Sequence, residues 1–107
     1  MSSGKLVRDL IPDLIRRKGQ RPVTRQLNAE EMTVALGAKL IEEAQEAAAA
    51  LGDRAALVEE LADVREVYEA LLTHLGIRRD DVAQVGNRKR QERGGFTART
   101  WLEMELP

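Results

Sequence analysis

Two long segments in the middle of the chain carry apolar residues at three- and four-residue spacing, which is the period of an amphipathic helix. The first is predicted to begin at Asn28, which fits a capping box with Glu31, and to run to about Leu51, where a glycine follows. The second is predicted to be capped by Asp53 and to end at Gly76. Because so few residues connect the two helices, they are expected to form an antiparallel hairpin.

Shorter elements are predicted on both sides of this hairpin. A helix is expected over residues 9–18 and another over residues 80–93, each followed by glycine. Residues 22–27 alternate weakly between apolar and polar positions, and residues 96–106 alternate clearly, which is the period of a β-strand. Because a lone strand is not stable in water, the two segments are expected to pair as a small two-stranded β element.

Four acidic residues fall on the two long helices where apolar residues are expected. At about 100° per residue, Glu60 lies inside the apolar arc of its helix and Asp63 lies at the margin of that arc. On the preceding helix, Glu43 lies at the edge of the apolar arc and Glu46 follows three residues later. Each helix therefore carries an acid pair at positions i and i+3, and an antiparallel hairpin brings the two pairs face to face.

These carboxylates have two explanations. Burying four unpaired carboxylates costs too much free energy, so each is expected to be neutralised, paired or bound to a metal. Lys39 is the only cation on that side of either helix. A divalent cation resolves the conflict, and oxygen-only ligation favours Mg²⁺ or Mn²⁺ over zinc or copper. Salt bridges to arginine or lysine across a subunit interface would also resolve it, and the residues alone leave both explanations open.

Composition supports an all-α fold. The length of 107 residues fits a single domain covering 1–107, and only three residues are aromatic, so Leu, Val, Ile and Ala must build the core. A chain this short buries only part of its apolar surface, so the hairpin is expected to complete a four-helix bundle across a dimer. No signal peptide or membrane span is recognisable, and a cytoplasmic location is expected.

Residue usage excludes several kinds of site. The chain has no cysteine, so disulfides and zinc–thiolate sites are excluded. The single histidine, His74, has no glutamate three positions before it, which disfavours a di-iron site, and it is expected to be a surface or capping residue at a helix end. The net charge of −1 and the scarcity of aromatic residues argue against nucleic-acid binding.

Charge is distributed unevenly along the chain. Residues 42–69 contain nine acidic residues and two basic ones, whereas residues 5–25 and residues 78–99 each contain seven basic residues. An acidic middle with basic flanks suits a site for a metal and phosphates. Solvated charged faces would produce the same counts.

The acids of residues 43–63 follow an ExxE…ExxD pattern that resembles the signature of the all-α NTP pyrophosphatase superfamily. This superfamily contains MazG, dimeric dUTPase and phosphoribosyl-ATP pyrophosphohydrolase. Residues 5–12 and residues 93–99 resemble the flanking segments of its short predicted house-cleaning branch. One departure is Leu10, where that branch has lysine. The resemblance extends over nearly the whole chain.

The resemblance implies hydrolysis of an NTP or dNTP between the α- and β-phosphates, to give a monophosphate and pyrophosphate, with Mg²⁺ or Mn²⁺ as the cofactor. It implies four metal ligands, which are Glu43, Glu46, Glu60 and Asp63. Glu42 or Glu59 would orient or deprotonate the attacking water, and Glu43 counts among the catalytic residues as well as the ligands.

Basic residues are the candidates for contact with the substrate phosphates. They are Lys39, Lys89, Arg90, Arg93 and Arg99. Arginine offers paired donors to a pyrophosphate group, whereas a solvated basic face would explain the same residues without a ligand.

The expected partners are the nucleotide substrate and further copies of the chain, as a dimer or a tetramer, without nucleic acid or membrane. The alternative function is a non-enzymatic helical interaction module whose acidic patch binds a basic partner. That alternative predicts no thermal shift with divalent cations. The sequence encodes no motif that identifies the nucleotide.

Overall fold

The computed structural model describes residues 4–107, and within this part of the chain the regular structure is entirely helical. The four helices found there are α1 (Ile11–Arg17), α2 (Ala29–Ala49), α3 (Arg54–Leu75) and α4 (Arg79–Arg93). The all-α prediction is confirmed, and the predicted ends of the two long helices differ from the observed ends by about two residues at most.

Side-chain caps fix where α2 and α3 begin. The Asn28 side chain accepts a hydrogen bond from the Glu31 backbone N–H at 2.8 Å, and the Glu31 carboxylate accepts one from the Asn28 N–H at 3.0 Å. Asp53 accepts a hydrogen bond from the Ala56 N–H at 3.2 Å and so caps α3. Gly76 ends α3 with a φ of 66°, a left-handed conformation that glycine adopts without strain.

Helices α2 and α3 pack against each other as the predicted hairpin. Among residues 4–107, the buried apolar side chains are Leu36 and Ala47 on α2 and Val67 and Leu72 on α3. At one end of the hairpin, His74 Nε2 lies 3.0 Å from the Thr33 hydroxyl and 3.0 Å from the Ala29 carbonyl oxygen. This contact joins the last turn of α3 to the first turn of α2, as antiparallel packing requires.

The predicted two-stranded β element is wrong, because residues 22–27 and 96–106 contain no strand in the structure. Val23, Phe96 and Trp101 are 94%, 97% and 85% exposed, so the alternation does not separate a buried face from a solvated one. The Arg99 backbone N–H donates to the Phe96 carbonyl at 3.1 Å, and this turn interrupts the extended pattern. An alternating segment is stable as a strand only when a partner pairs with it and one face is buried.

The chain divides into two compact units, of which the first ends at Gly76 and contains the hairpin. The second comprises Ile77–Pro107 and contains α4, none of whose residues is buried. None of the helices in the described part of the chain is both long and apolar enough to pass through a membrane.

Candidate metal centre

Three carboxylates from the two helices of the hairpin converge in the first unit. Glu43 projects from α2, and Glu60 and Asp63 project from α3. One oxygen of each residue lies within 4.8 Å of an oxygen of the other two. Helical geometry explains the convergence, because residues three apart share a face and the antiparallel hairpin places that face opposite Glu43. We call these three residues the carboxylate cluster.

Two oxygens of the carboxylate cluster are buried without a hydrogen-bond partner in the described structure. They are Oε2 of Glu43 and Oε2 of Glu60. Glu43 is only 5% exposed, so its charge has little contact with bulk water. Leaving a buried acceptor unsatisfied costs about 1–3 kcal/mol, and more for a charged group. Buried oxygens that converge in this way fit a hard divalent cation such as Mg²⁺, because such cations prefer oxygen ligands.

The pKa of Glu43 also indicates that the carboxylate cluster lacks a neutralising positive charge. Burial raises the pKa of the Glu43 carboxyl above its ordinary value, and the nearby charges of Glu46 and Asp63 raise it further. Lys39 opposes this rise, because its Nζ lies 3.4 Å from Glu43 Oε1. The same Nζ lies 3.5 Å from Glu42 Oε1, so one lysine is shared between two carboxylates. A bound cation would complete the neutralisation that Lys39 begins.

The N-terminal segment supplies a contact that the sequence did not predict. Arg8 Nη2 donates a hydrogen bond to Asp63 Oδ1 at 2.6 Å, and the two residues are 55 positions apart in the chain. Residues on both sides of this ion pair surround a cavity of about 270 Å³. Its lining comprises Leu6, Val7, Arg8, Asp9, Met32, Leu36, Lys39, Glu43, Asp63, Glu66, Val67 and Ala70.

Three acids predicted for the site lie outside the carboxylate cluster, and they are Glu42, Glu46 and Glu59. Glu46 and Glu59 are exposed, although Glu46 is close enough to Glu43 to raise its pKa. Their roles as a metal ligand and a water-orienting base remain predictions. Glu42 is partly exposed and pairs with Lys39, and its catalytic role is likewise still a prediction.

The basic candidates divide between the two units. Lys39 lies in the first unit and lines the cavity beside the carboxylate cluster. The other candidates lie in the second unit and are exposed; they are Lys89, Arg90, Arg93 and Arg99. Contact of these four with phosphate therefore remains a prediction from sequence.

His74 has a structural position, as expected for a residue at a helix end. Its hydrogen bonds to Thr33 and Ala29 connect α3 to α2.

Fold and site together define an all-α protein with a carboxylate site between paired helices, a class to which the NTP pyrophosphohydrolases belong. The family model described as phosphoribosyl-ATP pyrophosphohydrolase matches residues 7–90, which include the whole hairpin. The chain therefore belongs to this family, within the MazG-related all-α NTP pyrophosphohydrolase superfamily, and the resemblance of its acidic pattern is confirmed.

A shorter similarity connects the chain to a bacterial protein. Over 46 residues it is 54% identical to an uncharacterised protein of Mycolicibacterium smegmatis. The aligned region covers 43% of this chain and 47% of the relative, so the chain spans about half the length of the curated relative that it matches. No solved structure matches the chain.

Proposed function

We propose that this protein hydrolyses nucleoside triphosphates, or their deoxy forms, between the α- and β-phosphates in a reaction that requires Mg²⁺ or Mn²⁺. The products are a nucleoside monophosphate and pyrophosphate, and the proposed role is the removal of unwanted nucleotides from the pool. The observation that carries the proposal is the pair of buried, partnerless oxygens in the carboxylate cluster of a pyrophosphohydrolase family member.

Glu43, Glu60 and Asp63 are the proposed metal ligands, because their oxygens converge within ligating reach of one position. Glu46 follows one helical turn after Glu43 and is proposed as a further ligand. When bound, Mg²⁺ screens the phosphate charges and promotes the ionisation of water. The protein's own part is to hold these carboxylates aligned on two rigid helices.

Glu42 and Glu59 are the proposed bases for the attacking water. Each directly precedes a member of the carboxylate cluster and is accessible to solvent, which a residue that exchanges protons with water requires. The water oxygen forms a new P–O bond at one of the two bridged phosphorus atoms, and the bond from that atom to the bridging oxygen breaks. The bridging oxygen leaves with the other phosphate, and one water proton passes to the carboxylate. Lys39 lines the cavity and is proposed to contact the phosphates.

The protein is further proposed to act as a homodimer or larger homo-oligomer. Large apolar side chains on the hairpin are exposed, including Val34 (74%) and Ile41 (61%) on α2 and Val58 (60%) on α3. Val34 and Ile41 are seven residues apart and therefore share one helix face. A second copy of the chain would remove this apolar surface from water.

Pyrophosphate release provides the test of the proposed activity. Canonical and damaged NTPs and dNTPs, together with phosphoribosyl-ATP, are incubated with the protein in Mg²⁺ and in EDTA. We expect pyrophosphate release with at least one nucleotide in Mg²⁺ and none in EDTA. Glu60→Gln should lower the rate by at least about 100-fold, since even the loss of a residue that only supports a metal ligand costs about 10–100-fold.

The matched control is Glu30→Gln, an exposed glutamate in the first turn of α2, which should keep the wild-type rate. If folded protein in excess Mg²⁺ turns over none of these nucleotides, the proposed enzymatic activity is refuted and the interaction module is favoured.

A further inference from the structure

Arg8 is the one cation of the described N-terminal segment that the structure pairs with the carboxylate cluster. Its Nη2 donates to Asp63 Oδ1 at 2.6 Å, while the side chain as a whole remains 55% exposed. A guanidinium group carries five N–H donors in a planar fork, so a single bond to Asp63 leaves donors for another acceptor. Arg8 also lines the cavity that Lys39 and Glu43 line.

The stability of the fold does not explain this ion pair. Ion pairs between solvent-exposed side chains contribute about 0–1 kcal/mol, and both partners are exposed by two fifths or more. The neighbouring Leu6 and Val7 are partly buried and line the cavity, so they anchor the segment through apolar contact. The ion pair of Arg8 therefore adds little to the attachment of the segment.

The charge of the carboxylate cluster explains why Arg8 lies there. Without a divalent cation, the Arg8 guanidinium offsets part of the negative charge of Asp63, which acts on the buried Glu43. A cation bound by Asp63 would take over this role and would repel the guanidinium, because both are positive. The released fork would then lie beside the cavity, where phosphate oxygens offer acceptors that suit bidentate arginine.

We propose that Arg8 is a phosphate-binding residue which Asp63 holds beside the carboxylate cluster until a divalent cation binds there. The proposal rests on the proposed function, since it takes the carboxylate cluster as a cation site and a phosphate compound as its ligand. The proposal gives the N-terminal segment a role in phosphate binding that does not depend on position 10, where this chain has leucine and the resembled branch has lysine.

Two affinities measured by calorimetry test the proposal. The first is the affinity for Mg²⁺ alone, and the second is the affinity for inorganic pyrophosphate at a fixed excess of Mg²⁺. Arg8→Ala should bind Mg²⁺ about two- to fivefold more tightly, because the cation no longer competes with an exposed ion pair. The same variant should bind pyrophosphate about tenfold more weakly or worse, since it lacks a charge-assisted hydrogen bond.

Two further variants separate binding from structure. Arg16→Ala removes an arginine of nearly equal exposure that pairs with Asp13 at 2.7 Å within α1, and it should leave both affinities unchanged. Arg8→Lys retains the charge but not the fork, so it should bind Mg²⁺ as the wild type does and pyrophosphate with intermediate affinity. It also provides a folded comparison should Arg8→Ala fail to fold.

The opposite signs of the two effects are the decisive result. Wild-type pyrophosphate affinity in folded Arg8→Ala or Arg8→Lys would overturn the proposal, and so would a parallel loss of both affinities together with a lower melting temperature. Wild-type protein that binds no Mg²⁺ would instead refute the proposed function and the role of Arg8 with it. Mg²⁺ binding with an unaffected Arg8→Ala would refute the role of Arg8 alone.

Discussion

Replacement of Glu43 by glutamine should stabilise the protein without metal and destabilise it relative to wild type with metal. Glu43 is 5% exposed, and its Oε2 has no hydrogen-bond partner in the described structure. An unsatisfied buried group costs about 1–3 kcal/mol, and Lys39, 3.4 Å from the other oxygen, recovers part of this cost. Glu43→Gln removes the buried charge at nearly constant volume, so the free energy of unfolding in EDTA should rise by about 1 kcal/mol.

A bound cation reverses the order of the two proteins. At a Mg²⁺ concentration 100-fold above the dissociation constant, binding to the native state alone stabilises wild type by about 2.7 kcal/mol. Glu43→Gln lacks a proposed ligand and should gain much less. Thermal melting in EDTA and in Mg²⁺ measures both effects, and 1 kcal/mol corresponds to a shift of about 4–8 °C in the melting temperature.

The control for this experiment is Glu30→Gln, an exposed residue on the same helix, which should change stability by about 0.5 kcal/mol or less in either buffer. If Glu43→Gln melts below wild type in EDTA, burial of the Glu43 carboxylate does not destabilise the protein. An undiminished rise of its melting temperature with Mg²⁺ would show that Glu43 is not a ligand.

Three more predictions concern pH, helix capping and assembly. Because burial raises the pKa of Glu43 above 4.5, the folded state binds its proton more tightly than the unfolded chain, and stability in EDTA should fall as pH rises from 4.5 through the raised pKa. Melting over a pH series checks this, and Glu43→Gln should lose that part of the slope. Asn28→Ala removes the capping box of α2 and should lower the free energy of unfolding by about 1 kcal/mol in urea titrations, whereas Asn28→Ser should keep most of it. Ile41→Asp should shift the proposed oligomer towards monomer in light scattering coupled to gel filtration, and an unchanged mass would show that this face of α2 is not the interface.

Sequence reasoning predicted the hairpin because its signals are local. Apolar spacing defines each helix, and Asn28, Asp53 and Gly76 mark ends that the structure reproduces through hydrogen bonds and a left-handed glycine. Helical geometry also predicted the carboxylate cluster, because Glu60 and Asp63 interrupt the apolar arc of their helix. Burying a charge there costs free energy unless the charge is paired or bound to a metal.

Features that depend on distant contacts could not be predicted in the same way. The alternation of residues 96–106 matches a strand, but a strand also needs a pairing partner, and no periodic pattern encodes one. The Arg8–Asp63 ion pair joins residues 55 positions apart, and the resemblance of residues 5–12 to a family segment does not indicate which acid Arg8 contacts. Glu46 follows Glu43 by three residues, as Asp63 follows Glu60, and yet Glu46 is exposed, so the spacing alone does not show which acid is buried.

A crystal structure grown with Mn²⁺, with anomalous scattering recorded at the manganese edge, shows whether the carboxylate cluster binds a divalent cation. We expect an anomalous peak between α2 and α3, ligated by oxygens of Glu43, Glu60 and Asp63, with Arg8 no longer bonded to Asp63. A map without a peak at the carboxylate cluster, from crystals in excess Mn²⁺, would show that the cluster is not a cation site, as would Mn²⁺ bound only elsewhere on the surface.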